Sequence, residues 1–389
     1  MRLTNRINGT LNRLRHEYRM WRHRQEDSRA DRLFQQWIRQ LCDARVQVLL
    51  GGNFAEYGGV QGHLKAIQRN SEMKVELGPP DELIKKITLY QCQLRIGSLL
   101  RDFDASVMHA VHSHVFPLFT DWCFLQQQQF GTFWIHTYHL NYYPEHCRGD
   151  LEPWMLQINE SLLKTACHAD AKISVSRWQQ AELRDQHGID TIYIPNGVDV
   201  ARCQLCSAAR FRNAHALDHF VLYVGRDDPV KNPEEFVHLA LRMPEIPCVM
   251  IGGGLNPDRI AELCGSVPKN LHILGPKSAA EVHDALAAAS VVVVTSKREG
   301  LPTLVLEAMV HETPLVVPDE AGCLEALNQG QYGSIYRLGD LEDLQKKVTA
   351  ALSRKRTPYG GLRHVCENYD WQTVMPQLDE VYRRREKQS

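Results

Sequence analysis

The chain has 389 residues, 43% of them apolar and 23% charged, an ordinary globular composition that excludes a disordered or fibrous protein. The length suits two α/β cores of roughly 150–200 residues better than one. A net charge of −1 gives no overall field for nucleic acid, and eleven scattered cysteines, an odd number, suit a reducing cytosol.

That charge average conceals an asymmetry. Residues 1–45 hold eleven Arg and no Lys against five acids, and they read as a basic amphipathic helical extension outside the first core. Ile7, Leu11, Leu14, Tyr18 and Trp21 fall at heptad spacing, and Phe34, Trp37, Ile38 and Leu41 form a second apolar face. Three readings stay open: a helix lying on an anionic membrane surface, a partner or self-association helix, and packing on the first domain. Glu17, Glu26, Asp27 and Asp31 interrupt the basic face and weigh against the first. There is no signal-peptide core, and the longest apolar run, Ala285 to Val294, is far short of the ~20 residues that span a membrane. A cytoplasmic chain is expected, peripheral at the inner membrane face under the first reading.

From Val46 onward, strands and helices alternate, the pattern of a parallel sheet covered on both faces. Val46–Leu50 is a strand, and Gly58-Gly59 precedes a helix with an apolar face of Val60, Leu64 and Ile67. A short strand at Lys74–Leu77 and a long helix from about Asp81 to Leu100 follow. Strands at Val107–Val111, Phe133–Ile135, Ala171–Val175 and Ile192–Ile194 complete a first domain over residues 46–205.

A second domain over 206–370 begins with the strand Phe220–Val224. Asn232-Pro233-Glu234-Glu235 reads as an N-cap, a helix-starting Pro and first-turn acids, and Ser278 with Glu281 has capping-box spacing. Strands Cys248–Ile251, His272–Leu274, Val291–Thr295 and Leu315–Val317 alternate with helices, and residues 371–389 form a final helix. The fold class is α/β, with two Rossmann-like doubly wound sheets facing a central cleft where such folds bind ligands.

Three strand ends of the second half carry signals. Gly225-Arg226, with Lys231 beyond, offers two cations for a diphosphate, one forked and one a point charge. Gly252-Gly253-Gly254 lets a ligand approach bare backbone. Glu299-Gly300-Leu301-Pro302-Thr303, with Glu307 about two turns into a helix, gives carboxylates for sugar hydroxyls and a helix N-terminus for a phosphate.

Two patterns read as decoys. Asp102-Phe103-Asp104 spells a metal-binding D-x-D but precedes a strand in the first half and reads as a boundary turn. Cys203-x-x-Cys206 lacks a second pair and reads as two linker thiols. No G-x-G-x-x-G follows the first strand, which argues against a dehydrogenase.

The stretch from Glu299 through Glu307, with Gly225–Lys231, Ile251–Gly254 and Ile194-Pro195-Asn196-Gly197-Val198-Asp199, resembles the retaining GT-B glycosyltransferase family 4 in order and spacing over about residues 46–389. The extension before Val46 lies outside that resemblance. It implies that the C-terminal helix crosses back to the first domain. It further implies metal-independent transfer from a nucleotide diphosphate sugar, UDP favoured, to a carbohydrate, lipid-linked or other hydroxyl acceptor, with no cofactor besides the donor. Arg226 and Lys231 would hold the pyrophosphate, Glu307 the ribose, and Glu299 the donor sugar. Backbone of Gly300, Leu301, Pro302 and Thr303 would fix sugar and phosphate, with Gly253 nearby and the base near Lys277. In the first half, Gly58 and Gly59 resemble a phosphate-covering loop, and His139 a histidine beside the reacting carbon. His112 and His114 read as structural. A same-fold phosphorylase or epimerase, or a non-catalytic glycan- or partner-binding subunit, are the alternatives. Intact Arg226, Lys231, Glu299 and Glu307 weigh against the last.

Overall fold

The computed structural model describes residues 43–51, 59–78, 110–353 and 360–384, with positions 32, 36, 37 and 39–41 before them. Its first half contains β1 (Val48–Gly51), α1 (Gly59–Asn70), β2 (Val75–Leu77), β3 (Ala110–Ser113), α2 (Pro117–Phe130), β4 (Trp134–Tyr138), α3 (Pro153–Glu160), β5 (Ala171–Ser174), α4 (Arg177–His187) and β6 (Ile192–Tyr193). The second half contains α5 (Val200–Cys203), α6 (Ala208–His215), β7 (Val221–Val224), α7 (Pro233–Arg242), β8 (Cys248–Ile251), α8 (Pro257–Cys264), β9 (Leu271–Ile273), α9 (Ala279–Ala288), β10 (Val291–Val293), α10 (Thr303–Val310), β11 (Leu315–Pro318), α11 (Ala321–Ala326), β12 (Ser334–Tyr336), α12 (Leu341–Leu352) and α13 (Gly361–Asn368). The last helix is α14 (Trp371–Tyr382).

The strands form two six-stranded sheets, and their pairings are parallel throughout. The runs Val48-Leu49-Leu50 and Val291-Val292-Val293 are buried, as expected of strands covered on both faces. The second sheet has the order β12-β11-β10-β7-β8-β9, so its strand order reverses between β7 and β10. The first, β2-β1-β3-β4-β5-β6, reverses between β1 and β3. A crevice outside the carboxyl ends opens at each reversal, and those are the points where this architecture binds ligands.

Helix α14 returns to the first sheet. Its Trp371, Val374, Met375, Leu378, Val381 and Tyr382 share one apolar core with Val48, Leu50, Leu64 and Ile67. Asp379 of α14 accepts from the Ser71 hydroxyl at 2.5 Å and from the Glu72 N–H at 3.0 Å, which fixes the docking register.

Three expectations need correction. Trp37 and Leu41 belong to the first core rather than to an extension outside it, because their i, i+4 spacing presents both to β1 and its neighbours. A Cβ on Gly78 would lie 2.2 Å from the Trp37 ring, so the contact is close. Asn232 does not cap α7. Its backbone is left-handed at φ 50, and its side-chain amide donates instead to Glu235 at 2.7 Å. Several strand limits also shift by one to three residues, as with Trp134–Tyr138 against Phe133–Ile135. The capping box of Ser278 and Glu281 forms as spaced. The heptad stripe before residue 32, the helix from Asp81 to Leu100, Asp102–Asp104 and Gly58 lie outside the described residues. Among the described residues, no helix is long and apolar enough to cross a membrane.

Candidate active site

The carboxyl ends of β7 and β10 flank the reversal in the second sheet, and the strongest sequence signals meet there. Lys231, beyond β7, donates to Glu299 Oε1, beyond β10, at 2.6 Å. Arg226 donates to Asp228 Oδ2 through Nε at 3.0 Å and Nη2 at 2.5 Å, while half of its side chain stays exposed to the cleft. Asp228 is buried and also accepts the Val230 N–H at 3.0 Å, so it fixes the loop that carries both cations. Spacing could not reveal this role for Asp228, because an acid beside an Arg on a loop reads equally well as a solvated pair.

Glu299 is held from below. Its N–H donates to Glu320 Oε1 at 3.0 Å, and Glu320 Oε2 accepts the Cys323 N–H at 3.0 Å. Burial raises the Glu320 carboxyl above its ordinary range, and these N–H donors partly offset that rise. The sequence reading missed Glu320. Its signal was position, as an acid at the start of the helix after β11.

The first turn of α10 has no side-chain cap, so its free N–H groups suit an anion beside Gly300–Thr303. Thr303 opens that turn, whereas the Leu301 side chain is buried in the domain core, so Leu301 can serve a ligand only through backbone, and Pro302, which lacks an N–H and whose carbonyl accepts from Val305 at 3.1 Å, offers no donor. Glu307 lies on the same helix, partly exposed, and its carboxylate has no hydrogen-bond or salt-bridge partner among the described residues. Burial pushes its carboxyl up to about 7. Gly253 closes the β8 end, its carbonyl accepting the Asp227 N–H at 2.8 Å. Gly252 packs so tightly on this loop that a Cβ would sit 1.7 Å from the Gly225 carbonyl oxygen. Lys277, past β9, pairs at 3.5 Å with Glu281.

The first domain faces this site closely. A Cβ on Gly300 would come within 2.1 Å of the His139 carbonyl oxygen, so only glycine lets the two domains meet here. Trp178 Nε1 donates to the Gly300 carbonyl at 2.8 Å, and Asn196 donates to the Leu301 carbonyl at 3.1 Å. Buried Arg298 donates to Glu182 at 2.5 Å and lies over the rings of Tyr143 and Trp178. Arg148 reaches across to Asp227 at 2.8 Å and to Glu234. Of these bridging residues only Asn196 belonged to a motif, Ile194–Asp199; Trp178, Arg298 and Arg148 carried none.

His139 follows β4 and faces the same junction, with its Nε2 2.8 Å from His114 Nδ1. His112 is structural, as expected, with one ring nitrogen on Tyr382 and the other on Thr137, both at 2.8 Å. His114 pairs with His139 rather than with the Tyr382 and Thr137 that hold His112. Burial, with mutual repulsion for His112, lowers the rings to about 3 for His112 and about 4 for His139. Gly59 begins α1, the helix that carries His63.

Cys203 and Cys206 are not bare linker thiols. Cys203 Sγ faces His283 at 3.7 Å, Cys206 Sγ faces His311 at 3.5 Å, and the two imidazoles meet at 3.3 Å. The fold assembles that row from positions far apart in sequence.

Two facing doubly wound domains, with paired cations and carboxylates at one crevice, define the GT-B architecture. Residues 30–202 match the model described as Glycosyltransferase Family 4, and residues 208–370 match Glycosyl transferases group 1. The chain therefore belongs to this glycosyltransferase family. The match from residue 30 corrects the expectation that the resemblance begins at Val46.

Among curated relatives, the phosphatidyl-myo-inositol mannosyltransferase of Mycolicibacterium smegmatis is 28% identical over 53% of this chain and 54% of its own length. The D-inositol 3-phosphate glycosyltransferase of Rhodococcus erythropolis is 26% identical over 80% of this chain and 76% of its own. The chain thus spans about half the length of the first of these relatives. Among solved structures, sucrose-phosphate synthase from Thermosynechococcus elongatus superposes with a TM-score of 0.72 at 20% identity, covering 88% of this chain and 100% of its own. Anabaena HepE in complex with UDP and glucose superposes with a TM-score of 0.71 at 17% identity, covering 86% of this chain and 99% of its own. These likenesses concern the fold.

Proposed function

We propose that this chain transfers a glycosyl group from a nucleoside diphosphate sugar to an acceptor hydroxyl, with retention at the anomeric carbon and without a metal. The observation that carries the reading is the meeting of Lys231 and Glu299 at 2.6 Å at the reversal of the second sheet, beside Arg226 and the uncapped start of α10. In this reading the diphosphate exchanges Lys231 and Arg226 out of their carboxylate pairs. Glu299 is thereby released to accept from sugar hydroxyls, and Glu307 takes the ribose hydroxyls. The anomeric C–O bond breaks as the acceptor oxygen bonds to the same face. The leaving β-phosphate oxygen takes the acceptor proton, and Arg226 and Lys231 hold the charge that develops. Preorganised cations in a closed cleft supply the largest catalytic effect available to such a site.

UDP is the favoured carrier, a choice supported by the UDP named with the HepE structure. The acceptor is a carbohydrate or lipid-linked hydroxyl, and the inositol in the relatives' names makes an inositol-containing acceptor the first to test. The protein works in the cytoplasm, and residues 1–45 bring it to the inner membrane face. A thermal-shift panel of nucleotides and nucleotide sugars tests the donor assignment. A ligand at 100 times its Kd raises stability by about 2.7 kcal/mol. No shift with any uridine or guanosine diphosphate species would remove the reading.

A further inference from the structure

We propose that His63, His114 and His139 form a binding site for a divalent first-row transition ion of the zinc class. One ring nitrogen from each lies within 4.8 Å of those of the other two. The His63 ring centroid is 5.4 Å from that of His114 and 5.2 Å from that of His139. The three come from separate elements around the reversal of the first sheet: His63 from α1, His114 past β3 and His139 past β4.

The plain alternative is a hydrogen-bonded pair, His114 with His139, and His63 as a packing neighbour. That accounts for the 2.8 Å contact but leaves His63 Nδ1 and His114 Nε2 buried without a hydrogen-bond partner. Buried ring nitrogens are ordinarily satisfied, and two orphans in one cluster point to a ligand. Of the neighbouring rings, His112 is held through both nitrogens by Tyr382 and Thr137, and Ser113 holds His136 Nδ1 while His136 Nε2 stays buried without a partner; His63 rests on Trp371. Three imidazoles are a recognised zinc ligand set, and imidazole suits zinc, copper and nickel over magnesium or calcium.

Such an ion is not an element of the proposed transfer. It would occupy the lone pair of His139, which the proposed function sets beside the donor sugar, so zinc should inhibit. Only this consequence rests on that reading.

The test is titration of the full-length, chelator-stripped protein with zinc chloride against a chromophoric zinc indicator, with cobalt as a spectroscopic substitute. One zinc per chain is expected, with cobalt ligand-field bands distinct from the aqueous ion. His63→Ala and His114→Ala, checked for folding by thermal melting, should each weaken zinc by about a hundredfold or more. Absence of stoichiometric zinc in the wild type overturns the site. Undiminished binding in both folded variants, as when Cys203 and Cys206 capture the ion, also overturns it. Should neither variant fold, the wild-type cobalt spectrum decides, and an aqueous-like spectrum overturns the proposal. In a transfer assay, zinc should lower wild-type turnover at least tenfold and spare His63→Ala. Full activity with one zinc bound would leave the metal site standing and remove His139 from the reaction.

Discussion

The Lys231 ammonium sits 2.6 Å from the Glu299 carboxylate, bridging the loops that leave β7 and β10. Under the proposed function a diphosphate draws Lys231 away, so donor binding and release of Glu299 become a single event. Arg226→Ala or Lys231→Ala should therefore lower turnover by roughly 10² while the fold survives, since removing one electrostatic donor typically costs about 3 kcal/mol of barrier. Steady-state rates at saturating donor check this, and near-wild-type turnover in both single variants would overturn the assignment. Because the two side chains are paired, the double variant Lys231→Ala with Glu299→Ala should fall short of the product of the single losses.

Glu307→Ala should act chiefly on donor affinity, because a ribose contact is made equally in ground and transition states. Glu299→Ala should depress the chemical step along with affinity. Single-turnover kinetics separate the two. The reverse pattern would show that the roles are exchanged.

The unpartnered Glu307 also carries a pH signature. Its folded pKa, about 7, lies above the ordinary glutamate value. The folded state therefore binds this proton more tightly than the unfolded one. Its favourable contribution holds at low pH and is lost as pH rises through about 7. Glu307→Gln removes that loss, so the variant should gain on wild type between pH 5 and 8, by on the order of 2 kcal/mol. Urea titrations across that range measure the difference, and a pH-independent gap would contradict the raised carboxyl.

Two glycines separate packing from ligand contact. Gly300→Ala forces a Cβ against the His139 carbonyl, so it should lower the melting temperature and turnover together. At Gly253 a Cβ meets nothing within 4 Å, so Gly253→Ala should leave melting unchanged and weaken only the donor. Calorimetry with and without nucleotide distinguishes them. An unchanged melt for Gly300→Ala would mean that the domains do not need this contact.

For residues 1–45, the expected outcome is co-sedimentation of the full-length protein with vesicles containing anionic lipid. A protein beginning at Val46 should lose that binding, since each basic residue near such a surface contributes about 1 kcal/mol. Equal binding by both, or by neither, removes the membrane role. Trp37 and Leu41 lie in the first core, so the shortened protein must be shown to fold before comparison.

The second domain was largely legible in sequence because the charged residues and glycines at its strand ends lie within short runs. Gly225–Lys231 and Glu299–Glu307 each place several such groups on one strand end and the turn after it. The supports were not legible. Asp228 and Glu320 act by accepting particular backbone N–H groups, and Arg148, Arg298 and Trp178 act across the domain junction. Such roles depend on three-dimensional neighbours that no local spacing encodes. The histidine cluster failed for a related reason. His114 alone is a strand-end histidine, and its meaning comes from His63 and His139, brought beside it by two other elements. Trp37 and Leu41 were assigned outside the core because a periodic stripe gives a face but not its partner.

The return of α14 to the first sheet also governs the order in which the molecule can be assembled. As the chain leaves the ribosome, the first domain emerges without Trp371, Val374, Met375, Leu378 and Tyr382, which complete its core. The entire second domain is synthesised before they arrive. The first domain must therefore wait, with part of its apolar surface uncovered, until the final helix docks and Tyr382 reaches His112. Maturation of the first domain is thus tied to completion of the second, and a nascent chain stalled before Trp371 would present a chaperone substrate rather than a finished half.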